Sequence, residues 1–217
     1  MMRKTVVSIV VAGCIAASAH AWTVTMHNSI GALYSPYTPI TVPTFVQALP
    51  APQITFLAGL ANSHPLTCVG APGFTSGGMI GHYSIVDPTN SLPMLNGFNF
   101  VITGLLQGHG RIDWFKKVVR NSDNTILWQG SGSILGGAYA GGSNGVFSVV
   151  IPVTLSAPAN DVTVYETFDL DTMGQPGSVA RLNLVEQDWT LTVVPEPASL
   201  IALATGLGGI LLRRRQR

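Results

Sequence analysis

Hydrophobic positions along the chain come in short runs rich in β-branched residues, separated by clusters of Gly, Ser, Thr, Asn and Pro. Residues 22–26, 97–103, 146–153, 162–168 and 189–194 are such runs, and their lengths and flanks predict strands between turns. Asn121-Ser122-Asp123-Asn124 has turn composition and precedes the apolar Ile126-Leu127-Trp128, so 111–129 reads as a hairpin. Ile112, Phe115 and Val119 also stand at helical spacing, which leaves a helix over 111–120 as the alternative. No other stretch of the body sustains a helical stripe over three turns, and strands do not alternate with long helices as a parallel sheet requires. The pattern predicts an all-β domain, an antiparallel β-sandwich of jelly-roll or immunoglobulin-like form. Pro39, Pro43, Pro50 and Pro52 mark 38–52 as an extended or edge segment, and the glycines of 130–145 mark a mobile loop or a weak strand.

The two ends follow other rules. Arg3 and Lys4 precede an apolar run over 5–17, and Ala19 and Ala21 place small residues where a signal peptidase inspects them. Residues 1–21 therefore read as a secretory signal peptide, too short to span a bilayer core of about 30 Å, with Trp22 as the expected mature N-terminus. Val11-Ala12-Gly13-Cys14 is like a lipobox, but Ile15-Ala16-Ala17 continues the apolar core beyond it instead of turning polar.

At the other end, Pro195-Glu196-Pro197 leads into an uncharged run over 198–212 and then Arg213, Arg214, Arg215 and Arg217. As a helix that run would reach only about 22 Å at ~1.5 Å per residue, a marginal single transmembrane segment. Each arginine costs roughly 2.5–3.5 kcal/mol at the bilayer centre, so the cationic tail is expected to stay cytoplasmic as a stop-transfer signal. The order of motif, short hydrophobic segment with Gly206, Gly208 and Gly209, and arginine-rich terminus resembles the PEP-CTERM sorting signal. The resemblance implies a Gram-negative bacterium that makes extracellular polysaccharide, and processing by the membrane enzyme exosortase. It also implies that Pro195, Glu196 and Pro197 are the recognition motif.

Export changes how composition is read. The whole chain is formally +1, but residues 22–194 carry five Lys and Arg against nine Asp and Glu, so the body is net −4. A mildly acidic, charge-poor domain has no electrostatic footprint for nucleic acid. With Cys14 in the signal peptide, Cys68 has no partner for an intramolecular disulfide, so the core must hold the fold unaided. Leu66 and Cys68 share a face of a strand, which points to a buried thiol.

Candidate chemistry is sparse. Gly141-Gly142-Ser143-Asn144-Gly145 fits the G-x-S-x-G pattern, but a glycine-rich loop precedes Ser143 and a strand follows it, the reverse of a nucleophile elbow. Asp169-Leu170-Asp171-Thr172-Met173-Gly174 begins like a calcium loop, yet Met173 offers no oxygen and Ala180 stands where the bidentate Glu belongs. His27, His64, His82 and His109 are scattered, without metal-site spacing. No catalytic, cofactor-binding or metal-binding residue is therefore assigned. Trp114, Trp128, Tyr139 and Tyr165 would form a sugar platform if exposed on one sheet face and core if not.

The expected function is a noncatalytic cell-surface or extracellular-matrix protein. Its processing partners are signal peptidase and exosortase, with a transient inner-membrane anchor at 195–217 and association with extracellular polysaccharide. A carbohydrate-binding module and an extracellular hydrolase are the alternatives. Exposed coplanar tryptophans would mark the first, and a cleft with two convergent carboxylates or a Ser/His pair the second.

Overall fold

The computed structural model describes residues 21–61 and 64–192. The described residues form twelve strands, β1 (Thr23–Tyr34), β2 (Thr38–Thr41), β3 (Thr44–Gln47), β4 (Gln53–Phe56), β5 (Thr67–Cys68), β6 (Ser76–Val86), β7 (Leu95–Gln107), β8 (Arg111–Arg120), β9 (Ile126–Leu135), β10 (Gly145–Ala159), β11 (Asp161–Asp171) and β12 (Val179–Leu191), and the expected runs lie in β1, β7, β10, β11 and, as far as Leu191, β12. One 3-10 turn, Ala58–Leu60, interrupts them. The helical alternative for 111–120 is overturned: β8 pairs along its length with β9, in the hairpin that the turn at 121–124 predicts. Helical spacing there arises because hydrophobic residues occur on both faces of β8.

Two antiparallel sheets form, in the orders β2-β1-β6-β11-β8-β9 and β10-β7-β12-β4-β3, with β5 on β12. The pairings nest. β8 pairs with β9, β7 with β10, β6 with β11 and β4 with β12, and successive pairs alternate between the sheets. A long hairpin rolled in this way is a jelly roll, which selects between the two expected sandwich forms. The segment 38–52 supplies β2 and β3, each at a sheet edge, as its prolines require. Pro152 lies inside β10, also an edge strand, where a missing N–H costs no ladder bond.

Between the sheets, Phe56, Phe98, Phe100, Phe168, Ile102 and Val185 are completely or almost completely buried. Phe100 meets Trp114 at 5.4 Å and Phe168 at 6.2 Å between ring centroids. Gly130 and Gly132 of β9 lie beneath the two tryptophans: a Cβ would stand 2.6 Å from Trp128 and 2.9 Å from Trp114. The glycine-rich stretch is thus part strand, Gly130–Leu135 making room for indoles, and part turn beyond Leu135. Cys68 is buried, and burial, with the Asp171 charge adding, pushes its thiol up to about 12, far from the reactive thiolate.

An ionic network sits inside this core. Lys116 of β8 lies opposite Glu166 of β11, with Nζ 2.5 Å from Oε2 and neither side chain exposed. Gln187, from β12 of the facing sheet, donates to the same Oε2 at 3.2 Å, and Tyr83 of β6 donates its hydroxyl to Gln187 Oε1 at 3.3 Å. Phe100, Phe98 and Tyr83 wall the ammonium, their centroids 4.4, 5.2 and 5.9 Å from Nζ.

The turn after β6 is tied by Asp87. Its Oδ1 accepts from the Thr89 amide and hydroxyl at 2.9 and 2.7 Å, and Oδ2 accepts from the Leu92 amide at 2.7 Å. Burial acts to raise the pKa, but the hydrogen bonds from Leu92, Thr89 and Ser91 outweigh it and hold the carboxyl down to about 2. A depressed folded value means that this contribution to stability is complete above the ordinary Asp pKa of about 4 and is lost as pH falls through about 2. Asp87→Asn is therefore expected to lower stability at neutral pH, and the gap to the parent should close between about pH 4 and about pH 2. Urea unfolding of both proteins across that range measures it.

Candidate functional site

Alternation along the strands gives the β2-β1-β6-β11-β8-β9 sheet an inner and an outer face. On β6 the inner set is Met79, Gly81, Tyr83 and Ile85, and the outer set is Gly78, Ile80, His82 and Ser84. On β11 Val164, Glu166 and Phe168 point inward, while Tyr165, Thr167 and Asp169 point outward. The outer faces of β1, β6, β11 and β8 carry the candidate site.

A bulge in β1 between Met26 and Asn28 inserts His27 and re-aims it outward. His27 meets His82 at 4.6 Å, and His82 stacks on Tyr165 at 4.4 Å with planes 19° apart. The Lys117 ammonium lies 5.1 Å from the Tyr165 ring centroid. A continuous row of flat and cationic groups thus crosses four strands. Burial, then the His27 charge, lowers the His82 pKa, so the row stays largely uncharged at its centre near neutrality.

Beside the row, Ile30, Ala32, Tyr34, Tyr37, Gly78, Ile80, Thr167 and Asp169 line a groove of about 310 Å³. Tyr34 and Tyr37 flank the turn from β1 to β2, their rings 5.9 Å apart, and Tyr37 is 68 % exposed. Gly78 keeps the floor open, since a Cβ there would stand 3.0 Å from Phe168 O and 3.3 Å from Asp169 Oδ1. Asp169 is the register partner of Asp113, whose carboxylate takes Arg111 Nε at 2.7 Å and the Ser133 hydroxyl. Burial, then the Asp113 charge, raises the Asp169 pKa. Apolar floor, exposed rings and a carboxylate at the rim make a surface suited to a neutral, hydroxyl-rich ligand: rings cover its C–H faces, and carboxylates and hydroxyls take its O–H groups.

Most residues singled out from sequence lie elsewhere. Trp114 and Trp128 turn inward and pack against Phe100 and Phe98, so they do not build the expected platform with Tyr165. Tyr139 donates to His109 O at 3.3 Å in the loop after β9. Of those four aromatics only Tyr165 is on the face; Tyr34, Tyr37, His27 and His82 join it unanticipated. Ser143 lines a second hollow of about 410 Å³ with Trp114, Ile134, Val149 and Ile151, and no titratable side chain shares that lining. Asp171 accepts the Met173 amide at 2.7 Å, closing the solvated turn expected there. Among the described residues no three of His, Cys, Asp or Glu converge as a metal group would, and no helix is long and apolar enough to cross a membrane. Ala21 is exposed just before β1, whereas Ala19, Pro195, Glu196, Pro197, Arg213, Arg214, Arg215 and Arg217 lie outside the described residues.

Residues 193–215 match the family model of the PEP-CTERM protein-sorting motif. No curated protein matches the chain in sequence. Among solved structures, the α-L-arabinofuranosidase MgGH51 in its arabinose-bound form is 12 % identical with a TM-score of 0.26; the match covers 81 % of this chain and 23 % of that one. A further likeness is to TmCBM61 in complex with β-1,4-galactotriose, 9 % identical over 80 % of this chain and 88 % of that one, TM-score 0.28. Another is to a family 11 carbohydrate-binding module from Clostridium thermocellum in complex with a mixed-linked tetrasaccharide, 10 % identical over 81 % and 90 %, TM-score 0.25. The chain spans about a quarter of the arabinofuranosidase, and likeness this loose carries no chemistry across.

Proposed function

We propose that this exported chain, directed to exosortase by its PEP-CTERM motif, is a noncatalytic surface or matrix protein that holds extracellular polysaccharide on the outer face of the sheet that contains β1, β6, β11 and β8. The observation that carries the reading is the groove between Tyr34, Tyr37, Ile80 and Asp169, continued sideways by the row of His27, His82, Tyr165 and Lys117. A chain of sugar rings offers alternating apolar faces and hydroxyl edges, which this alternation of rings and polar side chains complements. The test is retardation of the processed protein in gels containing the producer's own polysaccharide. Tyr37→Ala is expected to weaken binding about tenfold, the loss of ~1.4 kcal/mol from one stacking contact. Equal retardation of parent and variant would remove the groove from the reading.

The side-by-side carboxylates Asp113 and Asp169 are the feature that a hydrolase would use. Their surroundings favour binding. Asp113 already takes Arg111 and Ser133, which leaves it a fixed acceptor with its charge compensated. Asp169→Asn should therefore reduce retention of the polysaccharide, and the parent should release no reducing ends from it.

A further inference from the structure

We infer that Lys116 and Gln187 become joined by an intramolecular amide bond, formed by the folded core itself and fastening one sheet to the other. The four groups that the reaction needs are already assembled. Lys116 Nζ and Gln187 Nε2 both hydrogen-bond to one oxygen, Glu166 Oε2, at 2.5 and 3.2 Å, and the Tyr83 hydroxyl donates to the Gln187 carbonyl oxygen at 3.3 Å. Tyr83, Lys116, Glu166 and Gln187 are at most 1 % exposed. The amide orientation is fixed by its neighbours: its NH2 faces a carboxylate and its oxygen faces a phenol.

Burial makes the amine a nucleophile. Desolvation is the largest influence on Lys116 and lowers its pKa against the attraction of Glu166, so the neutral amine becomes accessible when the proton passes to the carboxylate. Nζ then attacks Gln187 Cδ, and negative charge develops on Oε1, where the Tyr83 hydroxyl already points. Glu166 gives that proton to Nε2, which leaves as ammonia, and takes the second proton that Nζ sheds on becoming an amide nitrogen, so the carboxyl ends protonated. One C–N bond forms and one breaks, and nothing is oxidised or reduced. The walls of Phe98, Phe100 and Tyr83 keep water from competing and hold the partners together, which replaces a bimolecular encounter with a fixed approach. Lys116 belongs to β8 and Gln187 to β12, so the product is a covalent tie across the sandwich.

The test is tryptic digestion and tandem mass spectrometry of the purified full chain after refolding-free isolation. Trypsin needs a free lysine, so the expected result is no cleavage after Lys116. A branched peptide is also expected, joining the segment that starts at Ile112 to the one that starts at Leu182, lighter than their sum by one ammonia. Gln187→Leu should restore cleavage after Lys116. Glu166→Gln, checked for retained β structure by circular dichroism, should lose the branched peptide because the proton carrier is gone. Free, unmodified Ile112 and Leu182 peptides in the parent would overturn the inference. So would a branch from Lys116 to Glu166 with loss of water, or a branch to Gln187 that persists in Glu166→Gln.

Discussion

Glu166→Ala is expected to lower the stability of the domain by about 3–5 kcal/mol, because it leaves the Lys116 ammonium in an apolar core without its partner. The ion pair itself is no strong source of stability, since its formation sacrifices the hydration of both groups. What makes the single substitution severe is the asymmetry: an intact pair is compensated, a lone buried charge is not. The double variant Lys116→Met, Glu166→Leu removes both charges and should recover most of the loss. What it still lacks relative to the parent includes the hydrogen bond that Gln187 Nε2 gives to Glu166. Urea unfolding monitored by tryptophan fluorescence reads all three proteins, and Trp114 and Trp128, packed against Phe100 and Phe98, report on this core. A single variant as stable as the parent would mean that Lys116 escapes to solvent and that the core polar network has no structural hold.

The second large effect belongs to the sorting signal. Replacing Pro195, Glu196 and Pro197 with alanine is expected to abolish C-terminal processing in a host that has exosortase, while membrane insertion proceeds. The prolines bar hydrogen-bonded helix at the motif and favour extended backbone before each ring, which presents Glu196 to an enzyme outside the bilayer. Replacing Arg213, Arg214, Arg215 and Arg217 with uncharged residues should give a different defect. Without the cost of moving these cations through hydrocarbon, the tail is free to slip across and retention fails. The two defects separate on cell fractionation with intact-mass measurement: an accumulated unprocessed membrane form in the first case, unprocessed protein outside the membrane in the second. An alanine variant trimmed like the parent would reduce the motif to a linker.

Sequence pattern carried the architecture further than the site. Short β-branched runs and turn clusters sufficed for an all-β sandwich, and the prolines of 38–52 placed that segment at edges, where β2 and β3 lie. The choice of jelly roll was invisible because it rests on pairings such as Val185 with Phe56 and Ile102, which no local pattern encodes. The inner face of β8 was equally hidden. Ile112, Trp114, Lys116 and Val118 form one alternating set, and Asp113, Phe115, Lys117 and Val119 the other, so each has a lysine and no rule of polarity separates them. Only the opposite Glu166 decides that Lys116 goes inside, and with it both tryptophans of that end. The outer-face row is hidden for a related reason: His27 joins His82 through a bulge and through the pairing of β1 with β6, which four strands separate in sequence. Tyr34 and Tyr37 left a visible trace, two aromatics astride the Ser35-Pro36 turn, but nothing local in the sequence sets them apart from core aromatics.

The place of β12 has a consequence for the order of events during export. Although last in the chain, it is not an edge strand: it lies between β7 and β4 in the centre of its sheet, with Leu182, Val185, Gln187 and Trp189 buried. Until this strand emerges, β4 and β7 have no common neighbour, and the facing sheet is covered only by the separate pairs β7–β10 and β3–β4. The domain thus cannot close while its final segment is still in transit, and a chain threaded through a narrow channel is kept from folding too early. Because β12 ends at Leu191 and the matched sorting segment begins at residue 193, the last strand clears the membrane only as the sorting signal arrives there. Closure of the sandwich and presentation of the sorting signal are thereby brought to the same moment, since β12 makes the long-range pairings with β4 and β7.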